Sequence, residues 1–539
     1  MWNQLDVHKK EKYKSLITNF ASLSEAFSQK SDNEIDVQIT KRVAPIVNSK
    51  FQETAFQRSF GAIGEDIANT SYDASLKLDD RHKYLVGIKS FGIHSGDQKI
   101  AQFKASSILN GWSTILAEAR KNADLLGDKK LADEKNEPLY RKVAMEIARL
   151  RNERIASSKE LIKGFDACND VNVDAVYHVL MPSKRGEVPQ IHVGETSYLP
   201  IDINNIVILG ATALRNALRN ATNFKFTDGH HTYKYADADS QLFMNFHNKE
   251  IVVDTWDVNY VQDAFAFFEN LNAGAINLPE IKPLGQTVSW MIANEKGIVE
   301  GSSGYNGFDG ATKLAKANNY RENRINSFYE KFKNVVTKDD MDIIILYLRE
   351  ILLKDYPTKD DKKEMKKVRN KLRDKLISIG DEKVKTAVFS MVYRPVSEMY
   401  IPIPESKKFH NENPDFFGKN IGTFINGTSK LALDKEQRTF SLEFIPSGNK
   451  VLAYINQDNG KGIQSKNKQG ILGEWILRGV FQLDEYEVLT GERLNELGIN
   501  AIRLTKFDDL NRGIGLEFIW IDIDNPPEDA IGWVCKNKK

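Results

Sequence analysis

The residues of this chain best suited to chemistry are Asp73 and Lys89, with Glu65 shortly upstream, in the stretch FGAIGEDIANTSYDASLKLDDRHKYLVGIKSF. Metal-dependent phosphodiester cleavage needs carboxylates to hold Mg2+, and a lysine beside the attacking water or the charge that develops on phosphorus. ASLKL and YLVGIKS, separated by the charged DDRHK, read as two strands joined by a turn. Asp73 opens the first strand and Lys89 closes the second, so a hairpin sets them side by side. Glu65 is expected at the end of the preceding helix, turned toward the same metal. Asp73, Lys89 and Glu65 are thus the expected catalytic residues, with Asp73 and Glu65 on the metal.

This order of helix acid, strand Asp and strand Lys resembles the PD-(D/E)xK nuclease superfamily across residues 60–91. The resemblance implies an α/β domain with a mixed sheet flanked by helices and Mg2+ as cofactor. It also implies that Lys89 orients or activates water and stabilises the pentavalent phosphorus. Where that family carries an acid two residues before its lysine, this chain has Gly87. Glu65, Glu53, Asp79 or Asp80 can supply the carboxylate instead.

Other patterns compete less well. His247, Lys249 and Asp254 match H-x-K-x4-D, the pattern of phospholipase-D-type phosphodiesterases, which attack phosphate through a histidine and need no metal. The continuation TWDVNYVQDAFAFF lacks the Gly and Ser of that family, so HNKE reads more simply as a polar turn. His230 and His231 stand near Asp228, Asp237 and Asp239, but adjacent side chains of an extended turn point apart. No G-x-x-x-x-G-K-[ST] loop occurs, so ATP is not an expected partner. Gln98, Gln102 and Lys104 are expected on a helix after the second strand.

The elements that position these residues must come from a long chain. Its 539 residues exceed what one core can fill, which predicts roughly two to four domains. Charge is balanced, 75 basic against 74 acidic residues, so any phosphate binding must be local. Cys168 and Cys535 are the two cysteines, which excludes a disulfide scaffold. No apolar run is long enough to span a membrane, and the polar start lacks a signal peptide's apolar core, so a cytoplasmic protein is expected. Residues 1–274 mix helix and strand and are expected to form the nuclease-like domain. Residues 275–395 read as a helical middle segment. Within it, DYPTKDDKKEMKKVRNKLRDKL is most simply a solvated helix of opposite charges, although its lysine and arginine excess can also meet phosphates. The proline-rich RPVSEMYIPIP marks a boundary, and residues 396–539 read as mainly β with two short helices.

In this last part, FHNENPDFFG, FSLEFIPSGNKVLAYINQDNGKGIQSKNKQGILGEWILRGVFQL and LTGERLNELGINAIRLTKFDD resemble the plant-transcription-factor-type pseudobarrel, a DNA-recognition module of restriction endonucleases. The resemblance implies two arms that grip the major groove. Gln457, Asn459, Lys461, Gln464, Ser465, Lys466 and Lys468 would form one arm. Arg503, Lys506, Asn511 and Arg512 would form the other. Such side chains suit base edges and phosphates. Together the two resemblances imply a type II restriction endonuclease that hydrolyses double-stranded DNA as a homodimer or transient pair. The alternatives are a DNA-binding protein with a decayed nuclease domain, or a metal-independent enzyme using His247.

Overall fold

A computed structural model describes residues 1–24, 43–64, 72–165, 171–212, 221–261, 263–265, 268, 285–301, 304–466, 469–509 and 512–537. The chain starts with α1 (Val7–Ala21), capped by Asp6, and α2 (Ser49–Phe60), capped by Asn48. α2 stops at Gly61, whose φ of +70° closes the helix in a left-handed turn that a Cβ disfavours. Then come β1 (Ile63–Gly64), β2 (Ala74–Lys77), β3 (His82–Ser90), β4 (Gln98–Gln102), α3 (Lys104–Leu109), α4 (Trp112–Leu126) and the long α5 (Lys129–Lys163). The strands β5 (Asn172–Pro182), β6 (Gln190–Ser197), β7 (Val207–Ala211), β8 (Phe224–Thr227), β9 (Thr232–Ala236), β10 (Gln241–Met244) and β11 (Val252–Asp257) complete this part.

These strands form two sheets, ordered β1-β2-β3-β5-β6-β11 and β4-β10-β9-β8-β7. β2 and β3 pair antiparallel, whereas β3 and β5 run parallel, joined by a crossover that includes α5. Alternation along β3 and β5 divides the core. Tyr84, Val86, Ile88, Val176 and Leu180 pack with Tyr13, Phe56 and Trp256. Leu85, Val173, Ala175, Tyr177 and Val179 pack instead with α4, α5 and the second sheet. Gln98 and Gln102, expected on a helix, instead bound β4, because β10 hydrogen-bonds to it; Lys104 begins α3.

The remaining strands belong to one seven-stranded sheet. They are β12 (Gly285–Met291), β13 (Ile401–Pro402), β14 (Thr439–Phe444), β15 (Lys450–Ile455), β16 (Gly462–Ser465), β17 (Ala501–Phe507) and β18 (Ile514–Ile519), ordered β12-β17-β18-β14-β15-β16-β13. β12 corrects the expected boundary. Lying within the predicted helical middle, it pairs along its whole length with β17, more than two hundred residues away (Met291 opposite Ala501, Gly285 opposite Phe507). The helical segment is therefore an insertion in the β domain. It comprises α6 (Tyr320–Phe332), α7 (Lys338–Leu353), α8 (Lys359–Ile379) and α9 (Glu382–Val392), with a core of its own around Phe328, Ile344, Leu372 and Phe389. Among the described residues, no helix is long and apolar enough to cross a membrane.

Candidate active site

The β2–β3 hairpin brings Asp73 and Lys89 together at its open end. Ala74 stands opposite Val86, so Asp73, one residue before β2, lies alongside the end of β3 that carries Gly87 and Lys89. The Lys89 ammonium is 3.9 Å from the Asp73 carboxylate, and both side chains are 28% exposed. That exposure leaves the pair partly open to solvent. The Ile88 N–H donates to Asp73 Oδ2 at 2.6 Å, and the Asp73 N–H donates to Val86 O at 3.0 Å, which locks the carboxylate to the strand beside it.

Burial pushes the Asp73 carboxyl above its ordinary range; Lys89 and the Ile88 N–H pull it down, and Glu53 pushes it up again. Glu53 therefore acts electrostatically on Asp73. It lies on α2, where Lys50 pairs with it at 3.0 Å. Gln52, its fully buried neighbour, donates to Lys89 O at 3.3 Å and ties α2 to the lysine's backbone. Its Oε1 has no hydrogen-bond partner among the described residues.

The other acids do not join this group. Asp79 accepts from the N–H groups of Arg81 (2.7 Å) and His82 (2.8 Å), the bonding of an Asx turn. Asp80 pairs with Lys77 at 2.7 Å in solvent. Both occupy the closed end of the hairpin, beyond Lys77 and so more than about 13 Å from Asp73 at ~3.3 Å of rise per strand residue. They cannot replace the acid absent at Gly87. The helix expected to end at Glu65 ends at Phe60, and Glu65 itself lies outside the described residues.

Mg2+ is commonly held by one or two carboxylates with several waters. Asp73 and Glu53 are the two described carboxylates whose charges act on each other here, and a carboxyl pushed up by burial and a neighbouring acid is one that a cation would relieve. Among the described residues, no three His, Cys, Asp or Glu side chains gather as a metal-holding group.

His247, Lys249 and Asp254 fall in and after the polar turn between β10 and β11. His247 has φ +50°, and Asp254 accepts from the Trp256 indole N–H at 2.9 Å. His178, unmarked by any sequence pattern, is fully buried beside Trp2 and Phe56; its Nε2 is 3.1 Å from Tyr13 Oη, and burial presses its pKa down to about 3.

In the C-terminal sheet, the expected DNA-binding residues divide. β14 and β18 run parallel, while β15 and β17 run opposite to them. The β15–β16 and β17–β18 turns consequently lie at one end of the sheet. Asn459 is exposed there and Gln457 is half-buried; Lys461 is paired with Glu300 at 3.7 Å, whereas Lys466 follows β16 at the opposite end of the sheet, its ammonium donating to Glu436 O at 3.3 Å. Gln464 and Ser465, expected on the polar connection, are buried in β16, and Gln464 is already bonded to Tyr454 Oη (3.0 Å) and Met399 O (3.3 Å). Lys506 donates to Asp415 O at 2.9 Å. Arg503 pairs with Asp529 at 3.0 Å, and Arg512 with Glu443 while lying over the Phe507 ring. Both arginines of the expected second arm are thus engaged by carboxylates within the domain. Lys468 and Asn511 lie outside the described residues.

No protein-family model matches the chain. None of the curated proteins matches it either.

Proposed function

We propose that the chain is a type II restriction endonuclease that hydrolyses double-stranded DNA with Mg2+. The observation that carries this reading is the Asp73–Lys89 pair, 3.9 Å apart on adjacent strands. It is supported by a mixed sheet in which β3 runs parallel to β5 through a helical crossover, with an acid-bearing helix at the same strands. Asp73 and Glu53 would hold Mg2+. Bound there, the ion would supply a polarised water and positive charge toward the phosphate. Lys89 donates a hydrogen bond to the attacking water and stabilises charge on the pentavalent phosphorus, while the Ile88 N–H keeps Asp73 in place. The paired turns at one end of the C-terminal sheet offer Asn459, Lys461 and Lys506 to the duplex. Cutting both strands takes two such sites, so two copies pair on DNA.

Gly87 favours a second reading, a DNA reader without catalysis, because it leaves two carboxylates where three are usual in the superfamily. Incubating methylated and unmethylated plasmid with Mg2+, with EDTA, and with Lys89→Ala separates the readings. Discrete bands lost with EDTA, and a drop of about 100-fold or more in the variant, are expected of the endonuclease. Cutting that survives EDTA moves the chemistry to His247. Retained DNA binding without cutting makes the protein a reader.

A further inference from the structure

The helical insertion and the loop before it enclose a cavity of about 420 Å³, large enough for a ligand of nucleotide size. Seven lysines and arginines line it, with Asp309 the one carboxylate among the lining residues; just outside, Glu398 pairs with Arg394 at 2.7 Å and Glu350 with Lys354 at 3.9 Å, which leaves the wall in net positive excess. Asp309 is already claimed twice, by the buried Arg369 and by Lys366 at 2.6 Å. Arg321 spends its guanidinium on main-chain oxygens, Leu314 O at 2.9 Å and Leu352 O at 2.6 Å. Those bonds fix its orientation, and among the described residues no carboxylate lies within ion-pair distance of its guanidinium. Among the described residues, Lys362 has no carboxylate within ion-pair distance. The Lys316–Asp355 pair is 67% and 78% exposed, so water screens it strongly. The Lys354 ammonium lies 5.4 Å from the Tyr356 ring, and both residues face the cavity.

Cations gathered in a concave wall repel one another and raise the local potential, a cost that a bound anion offsets. Arginine forks and mobile lysine ammoniums are the donors that take phosphate oxygens. We propose that this cavity is a phosphate-binding site, separate from the Asp73–Lys89 pair. Its phosphate comes either from a free oligophosphate or nucleotide, or from the backbone of bound DNA. The inference does not rest on the nuclease reading.

The test uses the full chain and the double variant Lys354→Glu/Lys362→Glu, both exposed positions. Calorimetric titration with tripolyphosphate at about 50 mM salt, a range in which phosphate contacts are strong, tests the free ligand. Anisotropy titration of a labelled duplex across salt concentrations tests DNA. Tripolyphosphate binding that weakens more than about tenfold in the double variant supports a free phosphate ligand. Loss of duplex affinity in the variant, with a salt dependence shallower by about one to two phosphate contacts, assigns the phosphate to DNA. If neither binding differs between the two proteins, the proposal is overturned. Should the double variant unfold at a lower temperature than the parent, Lys362→Gln carries the same comparison.

Discussion

Asp73 is under two opposed demands. Burial favours its neutral form, whereas Lys89 and the Ile88 N–H favour the carboxylate that metal chemistry needs. With burial prevailing, the folded state binds this proton more tightly than the unfolded state. The contribution to stability is then greatest below the ordinary aspartate range and falls as pH rises through the folded value. Asp73→Asn keeps an acceptor for Ile88 and removes the charge. It is expected to unfold at a higher temperature than the parent at pH 7, with the gap narrowing toward pH 4, and to lose cleavage. Thermal unfolding of both proteins at the two pH values checks the sign; a variant that is less stable at pH 7 contradicts it. The Asp73–Lys89 pair was legible because a hairpin converts a short sequence spacing into adjacency. Glu53 stood only as one acid among four, and Gln52 carried no signal, since nothing local says which face of α2 meets the lysine.

At the scale of elements, α2 reaches the site because an aromatic cluster clamps it to the sheet. Phe56 is fully buried, with ring centres 5.7 Å from Tyr13, 4.8 Å from Phe60 and 5.2 Å from His178. Removing it leaves a cavity among rigid rings, which costs about 3–5 kcal/mol. Phe56→Ala is expected to lose that much in urea unfolding and to lower Mg2+-dependent cleavage, because Glu53 shares its helix. Full activity in a variant destabilised to that degree would argue against a role for Glu53. The hairpin was recognisable from its strand pattern and charged turn, and a helix ahead of it was expected, though its end was placed at Glu65 rather than Phe60. β4 was not, because QKIAQ is short and becomes a strand only through β10, some 140 residues later.

The whole molecule is joined by α5, which crosses from the first part to two short helical segments of the C-terminal part, Glu474–Val480 and Gly491–Leu497. Trp475 donates its indole N–H to Glu160 O at 3.1 Å, and Arg493 bridges Glu153 and Glu496 while donating to Phe481 O at 3.0 Å and Gln482 O at 2.8 Å. Arg493 is 12% exposed, and Arg149 also pairs with Glu153 at 3.1 Å and Glu496 at 3.4 Å, so deleting Arg493 removes its charge-assisted bonds without leaving either carboxylate alone, at a cost of about 1–3 kcal/mol. Arg493→Ala is expected to uncouple the two halves, so that calorimetry shows two separated transitions where the parent shows one. An unchanged single transition would mean the halves are held mainly by other contacts.

By itself, the sequence determined the α/β and mainly β character of the two ends, the helical stretch between them, and the Asp73–Lys89 hairpin. Each depends on residues close together along the chain, where periodicity and turn chemistry operate. Only the tertiary structure decided that β12 belongs with β17, that Gln464 and Ser465 are buried, that Arg503 and Arg512 are paired, and that cations from the loops and helices of the insertion surround one cavity. These features join residues tens to hundreds of positions apart. Packing and strand pairing select such partners, and no local pattern encodes them.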